Sequence, residues 1–191
     1  MKGTRRRHLL ELASTAAGSL SLGACHSRGA PVPSERSPGW TPTFFSREQA
    51  LCAEELAELI IPEGSSPGAK SANVAPFIES YVREVYAEPQ QRAFVDGLAR
   101  LDARAAQLHG RVFAECARAE QEALFSAAAV EPVAVSGEPP FSFPRSFREL
   151  CIRGFCNSKL GATRVLQYEP TPGEFQGCVS LESVGKAWAT W

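Results

Sequence analysis

Residues 89–110 read PQQRAFVDGLARLDARAAQLHG, and this stretch decides the fold. Its large apolar residues recur at steps of four and three, the spacing of one face of an α-helix: Phe94, Leu98, Leu101, Ala105 and Leu108. Pro89 is tolerated in the first turn of a helix, and Gly110 stands where a left-handed C-terminal cap belongs. The stretch therefore predicts a long amphipathic helix.

Similar patterns on the N-terminal side predict two more helices. Ser46 and Gln49 have the spacing of a capping box, and Pro62 ends the helix that follows. The inward residues predicted for this helix are Cys52, Leu56, Leu59 and Ile60. After a loop, Asn73 can cap a second helix. Its predicted apolar side comprises Phe77, Ile78, Tyr81 and Val85.

Two further helices are predicted on the C-terminal side. One spans 113–128, with Phe113, Cys116, Leu124 and Ala127 inward. A loop from 130 to 140 leads to the other, around 144–158, with Phe147, Leu150, Cys151 and Phe155 inward. No run of alternating β-branched residues appears before Arg164, and 161–191 has no regular pattern. The prediction is an all-α fold, a small helical bundle with an irregular C-terminal tail.

The first 24 residues have the pattern of an export signal. A basic start precedes a short, weakly apolar run, which is too short to span a bilayer. Thr4, Arg5, Arg6 and Leu9 match the usual twin-arginine pattern, so this signal resembles one for folded cargo. Arg5 and Arg6 are the predicted export residues. The remaining 25–191 carry a formal net charge of −4, which argues against nucleic acid as a partner.

The signal ends at a candidate lipid anchor. Residues 22–25 read LGAC and resemble a lipobox, in which Cys25 becomes the lipidated mature N-terminus. The alternative is a free thiol beside an ordinary cleavage site. Residues 25–43 are rich in proline and predict a tether between membrane and body. The predicted organisation is a signal over 1–24, this tether, and a helical domain over 44–191, giving a periplasmic, membrane-anchored protein.

The sequence offers no recognisable catalytic constellation. His26 lies in the predicted tether, and His109 lies at a helix end, where interaction with the helix dipole is its expected role. No glycine-rich phosphate loop occurs, and no Cys-x-x-Cys motif for a cluster or redox dithiol. We therefore predict no catalytic, cofactor-binding or metal-binding residue in this chain.

Five cysteines follow Cys25, and an oxidising compartment favours disulfides among them. Cys52 and Cys116 lie on the predicted core faces of two helices, so one candidate bridge joins them. Cys156 and Cys178 form the other candidate, which would pin the tail to the last helix. Cys151 then remains as a buried thiol or an intermolecular partner. The sequence does not fix these pairings.

A family resemblance adds to this interpretation. Short blocks over about 43–180 resemble, in order, the gluconate 2-dehydrogenase subunit 3 family. They are 44–45 (FF), 59–63 (LIIPE), 67–69 (PGA), 73–74 (NV), 77–79 (FIE), 94–102, Phe113, 153–155 (RGF), 158–161, Tyr168 and 177–178 (GC). The resemblance implies a non-catalytic small subunit of a membrane-associated sugar or sugar-acid dehydrogenase.

The same resemblance implies a partner. Its large subunit would be a flavin-dependent dehydrogenase of the glucose–methanol–choline type that holds FAD, in some complexes with a cytochrome c subunit. Because such a partner commonly lacks an export signal, the small subunit would carry the folded complex across the membrane. The alternative from a different class is a stand-alone helical lipoprotein with a structural or binding role. The irregular 63–75 and the tail aromatics (Phe175, Trp188, Trp191) are the predicted partner contacts. The alternative is that these aromatics close the domain's own core.

Overall fold

The computed structural model describes residues 38–128 and 141–189, apart from 172, 175 and 176, and without the side chain of 181. The described helices are α1 (Arg47–Ile60), α2 (Val74–Val85), α3 (Glu88–His109), α4 (Arg118–Ala128), α5 (Phe143–Asn157) and the short α6 (Leu181–Val184). A 3-10 turn (Phe113–Glu115) precedes α4, and a π-helical turn (Gly161–Val165) follows α5. Within the described residues the only β pairing is an isolated bridge. The predicted all-α fold is confirmed.

Local signals explain where α1 and α3 begin and end. The Ser46 hydroxyl accepts a hydrogen bond from the Gln49 N–H at 3.2 Å, and the Gln49 side chain accepts one from the Ser46 N–H at 2.9 Å. The capping box is therefore confirmed. Gly110 adopts a left-handed φ of 70° and donates its N–H to the Ala106 carbonyl, as predicted for the end of α3.

Two predicted boundaries differ from the structure. Asn73 does precede α2, but its side chain makes no capping hydrogen bond and its φ is 53°. A backbone turn begins the helix instead, because the Val74 N–H donates to the Ala69 carbonyl at 3.0 Å. The predicted helix over 113–128 is divided, since Cys116 is extended with ψ of 150°. Glu120 then caps α4 by accepting the Ala117 N–H at 2.7 Å.

The core is centred on Phe94 of α3, which is fully buried. Its ring stacks on Phe45 and Phe147, with centroids 6.2 and 5.8 Å away. It meets Tyr86 and Phe143 edge-on, at 6.2 and 5.3 Å. These four rings come from the segment before α1, the connection between α2 and α3, and α5. One side chain therefore joins elements that are distant in sequence.

Two glycines let helices approach these aromatic rings closely. A Cβ on Gly97 would overlap the Phe143 ring, and one on Gly154 would lie 2.6 Å from Phe77. Beside the second contact, Arg153 of α5 donates a hydrogen bond to the Tyr81 hydroxyl at 2.6 Å. The block at 153–155 therefore holds α5 against α2.

Most residues predicted to face inward are buried, but three are exposed: Val85, Leu108 and Ala127. Each lies in the last turn of its helix, where no described element covers it. The helical spacing of apolar residues continues to the end of each helix, but the neighbouring elements do not pack against its last turn. The corrected core therefore lacks these three residues and gains others, among them Val82, Phe125 and Phe143.

We predict that Phe94→Ala lowers the free energy of unfolding by about 3–5 kcal/mol, because it removes the ring at the centre of the core. Urea denaturation followed by circular dichroism measures this change. Leu108→Ala on the same helix is the matched control, and this exposed site should change stability by less than about 0.5 kcal/mol. Similar losses for the two variants would contradict the assignment of Phe94 as the core centre.

Candidate partner-binding surface

A buried carboxylate fixes the chain where it enters the helical body. Glu79 of α2 is 3% exposed. Its Oε1 accepts the backbone N–H groups of Thr43, Phe44 and Phe45 at 2.7, 2.6 and 2.9 Å, and its Oε2 accepts the Trp40 indole N–H at 3.1 Å. Burial acts to raise the pKa of Glu79, but these donors together outweigh it and hold the pKa below its usual range.

Residues 38–46, here called the junction segment, are therefore docked on α1 and α2. The Gly39 N–H also donates to Glu54 at 3.2 Å, and Arg83 donates to the Thr43 hydroxyl at 2.7 Å. Of the predicted tether, the structure describes 38–43 and places them in this segment. Arg5, Arg6, Cys25 and His26 lie outside the described residues.

The connection between α1 and α2 is ordered by two carboxylates. Glu58 accepts the N–H groups of Glu63 and Lys70 at 2.7 and 2.9 Å. Glu63 accepts the Ser71 hydroxyl at 2.6 Å and the Gly68 N–H at 2.7 Å, and these hydrogen bonds lower its pKa. Side chains of α1 and of the connection itself accept these hydrogen bonds. The connection therefore presents a preformed surface to any partner.

The C-terminal tail contributes little to the core: among its described residues, Val165 packs against the core as a partly buried side chain. Beyond Gly161, no residue whose burial is described is buried. Two parts of the tail are joined by a bridge in which the Gln167 N–H donates to the Ala187 carbonyl and the Gln167 carbonyl accepts the Ala189 N–H, both at 2.8 Å. It nevertheless exposes large apolar side chains, namely Tyr168, Val179 and Trp188, each at least 38% accessible. We call these three residues the tail surface.

The tail surface has the composition of an interface. Aromatic side chains are enriched where proteins bind one another, and apolar groups that stabilise no core of their own gain from being covered. Of the predicted aromatic contacts, Trp188 is exposed as an interface residue requires. Phe175 and Trp191 lie outside the described residues. Val179 and Tyr168 are additions, identified by their exposure in the structure.

The five cysteines of the described part are free thiols. Cys52, Cys116 and Cys151 are buried, Cys156 is half-buried and Cys178 is exposed. Burial raises the pKa of Cys52, and it raises that of Cys151 to about 12, so neither is poised as a thiolate nucleophile. The structure contains neither candidate disulfide, and both pairings stay predictions.

The described residues show no assembled catalytic or metal-binding group. His109 Nδ1 lies 3.3 Å from Glu120 Oε1, and Arg111 lies 3.5 Å from the same oxygen, which places His109 in a helix-end ion cluster. No group of three or more His, Cys, Asp or Glu side chains in the described part is arranged to hold a metal ion. In the same part, no helix is both long enough and apolar enough to cross a membrane.

The structure is thus that of a small helical protein. Glu79 holds the junction segment against its helices, and its C-terminal tail exposes Tyr168, Val179 and Trp188. The family model of gluconate 2-dehydrogenase subunit 3 matches residues 47–173, about two thirds of the chain. The chain therefore belongs to the gluconate 2-dehydrogenase subunit 3 family, whose name is that of a subunit of a dehydrogenase complex. Neither the curated proteins nor the solved structures gave a match.

Asp102 of α3 makes the free energy of unfolding depend on pH. Its carboxylate accepts the Phe113 N–H at 2.9 Å. Burial raises the pKa of Asp102 from 3.8 to about 6, against the opposing effect of that hydrogen bond. Because the folded-state pKa is the higher one, ionisation disfavours folding. The stability that Asp102 contributes to the fold is fully present below pH 3.8 and is lost as the pH rises through about 6.

We therefore predict that Asp102→Asn stabilises the protein at neutral pH by about 1–2 kcal/mol, allowing for partial solvent screening. The amide oxygen still accepts the Phe113 N–H, while the charge is gone. Thermal melts across the pH range should show the gain disappearing under acidic conditions. Asp96→Asn, an exposed site on the same helix, is the control and should change stability by less than about 0.5 kcal/mol. A variant less stable than wild type at neutral pH would contradict the assignment.

Proposed function

We propose that this chain is the non-catalytic small subunit of a periplasmic, membrane-associated, FAD-dependent sugar or sugar-acid dehydrogenase. It assists the export, maturation and anchoring of the large flavoprotein subunit. The observation that carries the proposal is the tail surface, which exposes Tyr168, Val179 and Trp188 on a segment that adds little to the core. Because the chain belongs to a family of dehydrogenase-complex subunits, we expect another subunit of such a complex to cover this surface.

The division of labour follows from the chemistry that each chain supplies. The large subunit, of the glucose–methanol–choline type, holds FAD and carries out the oxidation, and a cytochrome c subunit accepts electrons in complexes that contain one. The small subunit binds the large one through its tail surface and its preformed α1–α2 connection. The clamped junction segment links this body to the export signal and the lipid anchor. A stand-alone lipoprotein would leave the tail surface uncovered.

Export is the first testable part of the proposal. Changing Arg5 and Arg6 to Lys keeps the positive charge but removes the paired guanidinium groups that the twin-arginine pattern contains. We expect both this chain and its flavoprotein to stay in the cytoplasm, as measured by immunoblotting of cell fractions. Changing Lys2 to Arg, outside the pattern, is the control. Normal periplasmic recovery of the double variant would rule out the twin-arginine route.

Anchoring is tested at Cys25. Cys25→Ser removes the sulfur that would carry the lipid, and buried acyl chains contribute about 0.8 kcal/mol per methylene to membrane binding. We expect the variant and its flavoprotein to move from the membrane to the soluble fraction. Mass spectrometry of the native N-terminal peptide checks the modification directly, and an unmodified Cys25 would refute lipidation.

Partner binding is tested in the tail. Deleting 181–191 removes Trp188 and the backbone bridge, so flavoprotein association should weaken far more than the melting temperature of the isolated subunit falls. Trp188→Ala alone should cost about 2 kcal/mol of association, roughly 30-fold in Kd. Lys186→Ala, an exposed neighbour, is the matched control. Unchanged association in the deletion variant would show that the tail is not the interface.

A further inference from the structure

An open groove of about 620 Å³ lies between α3, α4 and the first turn of α5. Its floor is apolar and includes Leu101, Leu124 and Phe143. Along α3 its lining runs from Gly97 to Gln107, so the groove follows this helix for about 15 Å at 1.5 Å per residue. A trough of this length suits an extended or helical segment better than a compact small molecule. It includes no residue of the tail surface.

The rim of the groove carries two cations, Arg100 and Arg104. Some exposed arginines on the described helices pair with carboxylates, as Arg92 does with Glu88 and Arg118 with Glu122. Others lie over aromatic rings, as Arg148 does over Phe125 and Arg153 over Tyr81. Within the described part of the chain, Arg104 donates only to the neutral Gln107 side chain at 2.7 Å. No carboxylate in that part contacts either guanidinium. Among the described residues, these two cations therefore have no anionic partner and flank one apolar trough.

We propose that this groove binds an acidic segment of the large subunit. Apolar side chains of that segment lie on the floor formed by Leu101, Leu124 and Phe143, and its carboxylates pair with Arg100 and Arg104. Arginine suits this role, because its planar donors match a carboxylate in bidentate geometry. The inference rests on the proposed function and adds a second contact, distinct from the tail surface, that selects a partner by charge.

The first test uses a photo-crosslinking amino acid at Ala103, a groove-lining position, in the full chain co-expressed with its flavoprotein. Mass spectrometry of the crosslinked peptide identifies the occupant. We expect a peptide of the large subunit that is rich in Asp and Glu and has apolar residues among them. A crosslink to 129–140 of the same chain, which contains Glu131 and Glu138, would overturn the proposal. So would a crosslink to a second copy of this chain.

The second test reverses the rim charges. Arg100→Glu with Arg104→Glu should weaken flavoprotein binding at least tenfold and reverse its dependence on salt, because both attractions become repulsions that added salt screens. Arg92→Glu with Arg164→Glu changes the net charge equally at exposed sites outside the groove and should leave binding unchanged. Equal weakening by both pairs would overturn the proposal. If the rim variant melts below wild type, Arg100→Gln with Arg104→Gln replaces it, with the same expected direction.

The two proposals fail in different ways. If the flavoprotein copurifies with wild type and equally well with the rim variant, the groove assignment is wrong and the accessory-subunit function stands. If no flavoprotein copurifies with wild type from the native host, the proposed function itself is wrong, and the groove assignment is wrong with it.

Discussion

The burial of Phe94 is the interaction on which the rest of the fold depends. Its ring contacts aromatic side chains from three separate parts of the chain, including Phe45 in the junction segment and Phe147 in α5. Because protein cores are close-packed, the positions of these elements are set together rather than one at a time. The same contact places Phe45 beside Glu79, so the N-terminal entry and the aromatic core are parts of one assembly.

Several carboxylates in this protein have structural partners. Glu79 binds the junction segment, Glu58 and Glu63 order the α1–α2 connection, and Asp102 and Glu120 begin the two pieces that follow α3. A carboxylate already occupied by backbone donors is poorly placed for general acid–base work. What the described residues offer a partner is shape, apolar surface and charge.

Short-range signals account for what the sequence could predict. The Ser46 capping box and the Gly110 cap act over three or four residues, and helical periodicity located α1 to α5. Contacts between distant residues were not predictable. The hydrogen bonds of Glu79 join positions 34 to 39 residues apart, and no local sequence pattern indicates them. The aromatic residues of the C-terminal tail led to the prediction that the tail contacts a partner. The groove needs three helices to assemble, so no single stretch of sequence indicates it.

The central claim is that this chain works as part of a flavoprotein complex and has no flavin chemistry of its own. Native mass spectrometry on the tagged chain, purified from membranes of its native host, tests that claim most directly. The account predicts a complex in which one copy of this chain accompanies one larger, FAD-containing polypeptide with sugar or sugar-acid dehydrogenase activity. The separated small subunit should then carry no flavin. A flavin-bound small subunit that alone reduces a dye with substrate, or a stable monomer without any flavoprotein, would contradict the account.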